Sequence, residues 1–269
     1  MLQYLKELYG NKLAASDGDI GHVKDFYFDD KIWVIRYLVA DTGSWLTGRL
    51  VLISPHAFGR WDREGDSLLV NLSRKQIENS PSIESHKPVS RQYEIEYYRY
   101  YGWPAYWNGG AIWGLGGYPV VLPPSKDELE AHLQHHPEDK HLQSTKTVTG
   151  YRIEANGETI GHLSGFMVDD KSWVVRELVV ETGHWYSGKE ILISPRQVER
   201  ISYEESKVYV NLSKADVQRS AAVHVAKSAT LSREIEALPT MMMKQAASAR
   251  RAANAAFFHA FGGSLIASI

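Results

Sequence analysis

The sequence predicts a mainly β protein: two small barrels in tandem, joined by an aromatic, Gly-rich linker and followed by a short helical or disordered tail. Three observations carry this expectation. The passage GHVKDFYFDDKIWVIRYLVADTG, from Gly21 to Gly43, returns as GHLSGFMVDDKSWVVRELVVETG from Gly161 to Gly183. The match holds one offset, without a gap, from Ile20/Ile160 to Ser73/Ser213, with about half of the paired positions identical, which indicates a duplicated small domain rather than a helical array. Each copy also breaks into short β-branched and aromatic runs bounded by Gly, Pro, Asp or Ser, the pattern of a small all-β unit that closes its own edges.

Taken in order, each copy opens on a short segment ending in a turn dipeptide, Asp17-Gly18 or Asn156-Gly157. These supply the positive backbone angles of a tight hairpin. A second strand, starting at Ile20, runs into Asp29-Asp30-Lys31, repeated as Asp169-Asp170-Lys171; paired Asp before an apolar run is turn chemistry, because the carboxylate bonds the local backbone. The next run, IWVIRYLVADT or SWVVRELVVET, is apolar on both faces at its centre, so it belongs inside a doubly covered sheet. LVLISP and SLLVNLS, or EILISP and KVYVNLS, supply further strands, and Ser73-RKQIENS reads as a capped helical turn closing the unit.

The order G-H-V/L, an aromatic, DDK, W-V-I/V-R, L-V, T-G-x-W, G-R/K and L-I-S-P closely resembles the PRC-barrel family, named for the cytoplasmic barrel of the photosynthetic reaction-centre H subunit. The resemblance covers roughly residues 10 to 80 and 150 to 220. It implies two PRC-type barrels, with domains at 1–85, 145–222, a linker with a short helix at 86–144 and an Ala/Met-rich tail at 223–269. It also implies a docking module more than a reaction. Members include that H subunit, the C-terminal barrel of a ribosome-maturation factor and many free-standing bacterial proteins.

Composition narrows the function classes. Lys plus Arg number 30 against 32 Asp plus Glu, so the chain as a whole carries no basic footprint for nucleic acid. Without cysteine, disulfides, thiol nucleophiles and Cys-ligated zinc are excluded. The opening MLQYLKELYGNKL lacks a secretory pattern, and the chain is read as cytoplasmic. No nucleophile-elbow, P-loop or dinucleotide spacing is present. His132, His135, His136 and His141 lie in ELEAHLQHHPEDKH, where Pro137 and the lack of an HExxH glutamate favour a solvated helix over a zinc site. Neither a metal nor an organic cofactor is expected.

Residues retained in both copies are those that the barrel needs or that a doubled site would use. His22/His162 is read as a hydrogen-bonded structural residue in a partly buried place. Arg36/Arg176, in otherwise apolar strands, is read as a lock on the turn aspartates. Trp45 and Trp185 each follow Thr-Gly and precede a Gly and a basic residue, Arg49 or Lys189. Such a Trp either plugs the barrel end or anchors a partner. Its retention while Ser44 changes to His184 favours the plug, for which truncation to Ala would cost about 3–5 kcal/mol.

Between the barrels, YEIEYYRYYGWPAYWNGGAIWGLGGYP shows no helical or strand period and is read as packing on the barrels or forming an interface. Only Arg99, with Arg91 just before the stretch, supplies positive charge there, too little for stacking on single-stranded nucleic acid. Candidate partner-binding residues are therefore Trp45, Arg49, Trp185, Lys189, Tyr97, Tyr98, Tyr101, Trp103 and Trp107. In the tail, Phe257, Phe258 and Phe261 beside Arg250 and Arg251 make a candidate peripheral membrane contact. The expected function is a non-catalytic assembly, scaffold or docking factor with a protein partner or a second copy. Rival expectations are a membrane-associated subunit of an electron-transfer complex and a ribosome or RNA assembly factor. Each barrel is expected to hold its own marginal core, and two similar surfaces would grip a two-site partner or pack together as a pseudo-dimer.

Overall fold

A computed structural model of the chain describes residues 1–62, 66–81, 89, 91–107, 109–114, 116–120, 142–183 and 190–212. The histidine cluster, Trp185, Lys189 and the tail lie outside them. In the first repeat the strands are β1 (Leu2–Tyr4), β2 (Lys12–Ala15), β3 (Gly18–Asp29), β4 (Val34–Asp41), β5 (Leu50–Ile53), β6 (Phe58–Asp62) and β7 (Ser67–Val70). Helices α1 (Arg74–Glu78) and α2 (Arg91–Tyr101) follow. The second repeat holds β8 (Leu142–Ser144), the short helix α3 (Thr145–Val148), β9 (Arg152–Ala155), β10 (Glu158–Asp169), β11 (Val175–Thr182), β12 (Glu190–Ile193), β13 (Val198–Ser202) and β14 (Lys207–Val210).

The fold is mainly β, in two separate seven-stranded sheets of matching order, β5-β4-β3-β2-β7-β6 and β12-β11-β10-β9-β14-β13. These are barrel-like units; among the described residues neither closes through a pair between its outer strands. The hairpins arise as their turns require: Asn156 and Gly157 have φ of 51° and 81°, both left-handed, as a two-residue hairpin loop demands. In the first copy the loop is at the equivalent place, with Ala15 paired to Gly18, so that it consists of Ser16 and Asp17 and the expected Asp17-Gly18 turn is corrected: Gly18 already belongs to β3. Asp29 Oδ1 accepts the Lys31 and Ile32 amides at 3.0 and 3.3 Å, and Asp169 Oδ1 those of Lys171 and Ser172 at 3.2 and 2.8 Å. Ser73 and Gln76 form a reciprocal capping box that starts α1. Gly21 and Gly161 sit where a Cβ would strike the backbone oxygen of Asp41 or Glu181. That close approach places His22 and His162 on the exposed side, which corrects the partly buried role expected of them.

The seventh strand of each sheet comes from the other repeat. β1 pairs with β10, Leu2 opposite Asp169, while β8 pairs with β3, Leu142 opposite Asp29. The arms are not held alike. Asp25 accepts bonds from Ser144 Oγ, Thr145 Oγ1 and the Lys146 amide. Its equivalent is Gly165, where a Cβ would come within 2.6 Å of the Tyr4 ring: the missing side chain makes room for an aromatic.

The repeats also cross at their Asp turns. Trp33 and Trp173, with φ of 57° and 58°, each give their carbonyl to the other repeat: Ile35 N to Trp173 O and Val175 N to Trp33 O, both 2.8 Å. Val34 and Val174 bridge antiparallel between them. Trp173 is buried against Phe26 and Phe58 of the first repeat, at 6.3 and 4.7 Å between ring centroids, and Phe28 packs on Phe166 at 5.4 Å. Here the expectation of two self-contained cores is corrected: exchanged strands and a common aromatic layer make one core of two repeats. Residues Met1–Val217 accordingly form one compact unit. Urea unfolding of the full chain is expected to be a single transition, and Trp173→Ala to lower its stability by about 3–5 kcal/mol. Two transitions, with only the second-repeat one moved, would show independent cores.

Candidate functional site

The two repeats share a strand order, so the places where their environments differ are where to look for a site. On the first repeat the outer side of β4 and β5 is roofed by α2 and residues 103–107 and 109–113. Tyr93, Glu94, Tyr97, Tyr98 and Tyr101 recur at three- and four-residue spacing, which puts them on one side of a helix. This corrects the aperiodic reading of the linker. Tyr97 and Tyr98 are fully buried. Tyr97 Oη donates to Leu52 O at 3.0 Å and accepts from Ser54 N at 3.1 Å, satisfying backbone groups at the open edge of β5. Glu94, also buried, accepts from Tyr37 Oη at 3.0 Å and Tyr106 Oη at 2.6 Å. Burial, then the neighbouring carboxylate, pushes the Tyr37 hydroxyl well above its ordinary range, so it stays a donor.

Arg36 is 1% exposed. Its guanidinium lies 3.6 Å from the Tyr106 ring centroid and 4.6 Å from that of Trp113, and Nη1 donates to Ile112 O at 2.8 Å. The expected lock on the turn aspartates is therefore wrong for Arg36: with Asp29 bonded to its own turn, an aromatic box and a carbonyl hold the cation. Trp113 Nε1 continues to Ser172 O at 2.8 Å, tying the roof to the second repeat. His56 stacks on Trp103 at 5.5 Å and meets Trp113 edge-on at 5.1 Å, and its Nδ1 lies 3.0 Å from Ser54 Oγ. A Ser-His pair has the form of a nucleophile and base. Ser54, however, has no exposed surface and cannot meet a substrate.

On the second repeat the same positions face outward. Buried Arg36, Tyr37, Leu52, Ser54 and His56 correspond to exposed Arg176, half-buried Glu177, Leu192 and Ser194, and exposed Arg196. Ser194 N, the counterpart of the amide held by Tyr97, is taken by Gln197 Oε1 at 3.0 Å. The second edge thus satisfies that amide without a helix.

These contacts decide the remaining candidates. Tyr97, Tyr98 and Trp103 are core residues, and Tyr101 and Trp107 are half-buried at the roof's margin; none is displayed as the anchor expected. Arg49 donates to Glu78 O and Ser80 O at 2.7 and 2.5 Å, closing the carbonyl end of α1. Trp45 is half-buried on the surface, with the Arg74 guanidinium 4.6 Å from its ring centroid, so it does not plug the barrel. Among the described residues, no group of three or more His, Asp or Glu is placed to share a metal ion, and no helix is long and apolar enough to cross a membrane.

Residues 153–217 match the family model of the PRC-barrel domain. The first repeat is tied to that domain by its matching strand order and constant sequence offset. No curated protein matches the chain.

The surroundings of His56 make it a probe of the roof. Burial, and then the Arg36 charge, lower its pKa from 6.5 to about 4. Its contribution to stability is complete above the unfolded value. It is lost as pH falls through this window, because the unfolded chain takes up a proton that the folded chain refuses; the loss totals roughly 3 kcal/mol. Urea midpoints should fall between pH 6.5 and 5, and this decline should flatten in His56→Gln. Trp45→Ala should cost about 1 kcal/mol, the scale of an exposed cation–π contact, in the same denaturation assay; a loss of about 3 kcal/mol or more would restore the plug.

Proposed function

We propose that the protein is a non-catalytic docking or assembly factor of the cytoplasm, which presents the outer face of its second PRC-barrel domain to a protein partner. The carrying observation is the asymmetry between equivalent faces: five positions buried beneath α2 and its following segment in one repeat are exposed or half-buried in the other. The first repeat supports the reading because it displays how such a face is covered, by a helix whose tyrosines reach the β5 edge. Leu192 in the outer strand β12, with Arg176 and Glu177 on the neighbouring β11 and Arg196 just after β12, places an apolar residue among charged ones, in keeping with the anatomy of a protein interface. The buried polar groups of the first repeat are engaged in holding the roof and do no chemistry in this reading.

The reading is tested with a photo-crosslinking amino acid at position 192 and, as control, at exposed Leu69. A protein adduct from position 192 and none from position 69 is expected. Leu192→Glu combined with Arg196→Glu should weaken capture by about 30-fold, the effect of losing an interface hot spot, with the urea midpoint nearly unchanged. Equal crosslinking from both positions, or undiminished capture by the double variant, would remove this face from the function.

A further inference from the structure

We infer that the cavity where β6 of the first repeat meets the Asp turn of the second is a binding site for a planar aromatic monocarboxylate, which stacks on its rings and accepts hydrogen bonds from Lys171 and Trp173. The cavity measures about 520 Å³, within the range of small-ligand sites. Its walls carry four aromatic side chains: Phe58 and Trp61 from β6, Trp173 from the turn, and Tyr118 from the segment after the roof. Trp61 is half-buried and Tyr118 is 56% exposed, so both keep ring surface that a ligand can cover. Apolar, aromatic walls with a few polar groups that fix orientation are the ordinary anatomy of such a site.

The polar groups call for an acceptor. Trp173 is 6% exposed, and a buried indole N–H ordinarily finds a partner; that of Trp113, buried to a similar degree, donates to Ser172 O. Trp173 Nε1 has no hydrogen-bond partner among the described residues, yet it is not one of the unpaired polar atoms sealed from solvent. The cavity is the opening that Trp173 borders. Two positions before it, Lys171 is exposed and its ammonium forms no ion pair with a described residue. The neighbouring carboxylates are spent elsewhere: Asp169 Oδ1 accepts the Lys171 and Ser172 amides, and Asp170 pairs with the Met1 amino group at 2.7 Å. A cation and a neutral donor beside aromatic walls match a carboxylate carried on a flat ring, since hydrogen bonds to an ionised acceptor are the strong ones.

The equivalent corner of the other repeat lacks these features. Val198 and Ile201 stand there in place of Phe58 and Trp61. Tyr203 Oη donates to Asp30 Oδ2 at 2.5 Å, and Lys31 is engaged. Both corners are built on the same Asp-Asp-Lys turn, so the aromatic walls and the unpaired lysine are not requirements of that turn.

The probe is 2-naphthoate, with 2-naphthamide and 2-naphthylmethylammonium as neutral and cationic forms of the same ring system. Titration of the full chain should give a Kd of about 0.1 mM for the acid, ordinary for so small a ligand, and binding about ten-fold weaker for the other two. Followed by NMR of the indole N–H groups, the resonance assigned to Trp173 by its loss in Trp173→Phe should move with the acid. Lys171→Gln should weaken the acid about ten-fold, to the level of the amide, and leave the amide unchanged. Trp61→Ala should weaken both by up to about ten-fold, the scale of losing one stacked ring. If Trp173→Phe does not fold, the affinities of the other two variants decide alone. No binding of the acid at millimolar concentration, equal binding of acid and amide, tighter binding of the ammonium, or an acid affinity untouched by Trp61→Ala would each overturn the proposal. So would a proline-rich decapeptide that displaces the acid at lower concentration, which would make the cavity a peptide site.

Discussion

The pair of backbone hydrogen bonds at the crossing of the Asp turns organises the rest of the structure. Ile35 N to Trp173 O and Val175 N to Trp33 O are equivalent bonds related by the repeat, so a two-fold relation between the halves passes through the Val34–Val174 bridge. Each bond depends on a Trp held in the left-handed region, a conformation uncommon for a bulky residue and retained only where its surroundings dictate it. Here the dictating partner is the Asp at the head of the turn, whose carboxylate fixes the next amides. Once the turns are set, the strands that follow them enter side by side. The aromatic layer of Phe26, Phe28, Phe58, Phe166 and Trp173 then forms between two sheets rather than within one.

That arrangement explains why similar sequences acquire different surfaces. A chain doubled about a two-fold relation has one linker, and the linker can roof only one of two equivalent faces. Arg36 lies beneath it and is held by π faces and a carbonyl; Arg176 is in water. The substitutions between the copies follow this difference. Tyr37 and His56 suit a dry contact with tyrosine and tryptophan, whereas Glu177 and Arg196 suit a wet one. Gln197 supplies locally the acceptor that Tyr97 supplies from α2. Divergence of this kind leaves one repeat as the structural member of the pair and the other as the displayed one.

Much of this was legible in the residues, and what was not has physical reasons. The Asn156-Gly157 turn, the Asp caps and the apolar β4 run are local signals, and the structure bears them out because each acts within a few residues; the Asp17-Gly18 turn is misplaced by one residue. The strand exchange is non-local, and its signal is faint: Leu2-Gln3 against Leu142-Gln143, Lys6 against Lys146 and Gly10 against Gly150 keep the repeat's offset, but short arms carry too little hydrophobic pattern to announce a strand. The helix α2 was hidden by composition. Tyrosine and tryptophan weaken helix propensity, yet Tyr93, Tyr97 and Tyr101 stand at successive four-residue steps. Arg36 and Arg176 share an apolar strand context and were read alike; the roof separates them, and its sequence signal lies in their neighbours, Tyr37 against Glu177 and His56 against Arg196.

The exchanged arms constrain how the chain is made. During synthesis, β1 emerges long before its ladder partner, Met167–Asp169, which follows after most of the described structure has left the ribosome. The first sheet likewise lacks its seventh strand until Leu142–Ser144 has been translated. For that interval the nascent chain carries an unpaired strand and, in the turn after it, two leucines destined for the core, beside an acceptor edge not yet filled. Such intermediates are the ones prone to wrong pairing between neighbouring chains on a polysome. Pairings of this sequence separation are also slow to form. The two sheets are thus completed only by pairings between the repeats, a step that two barrels folding one after the other would not need.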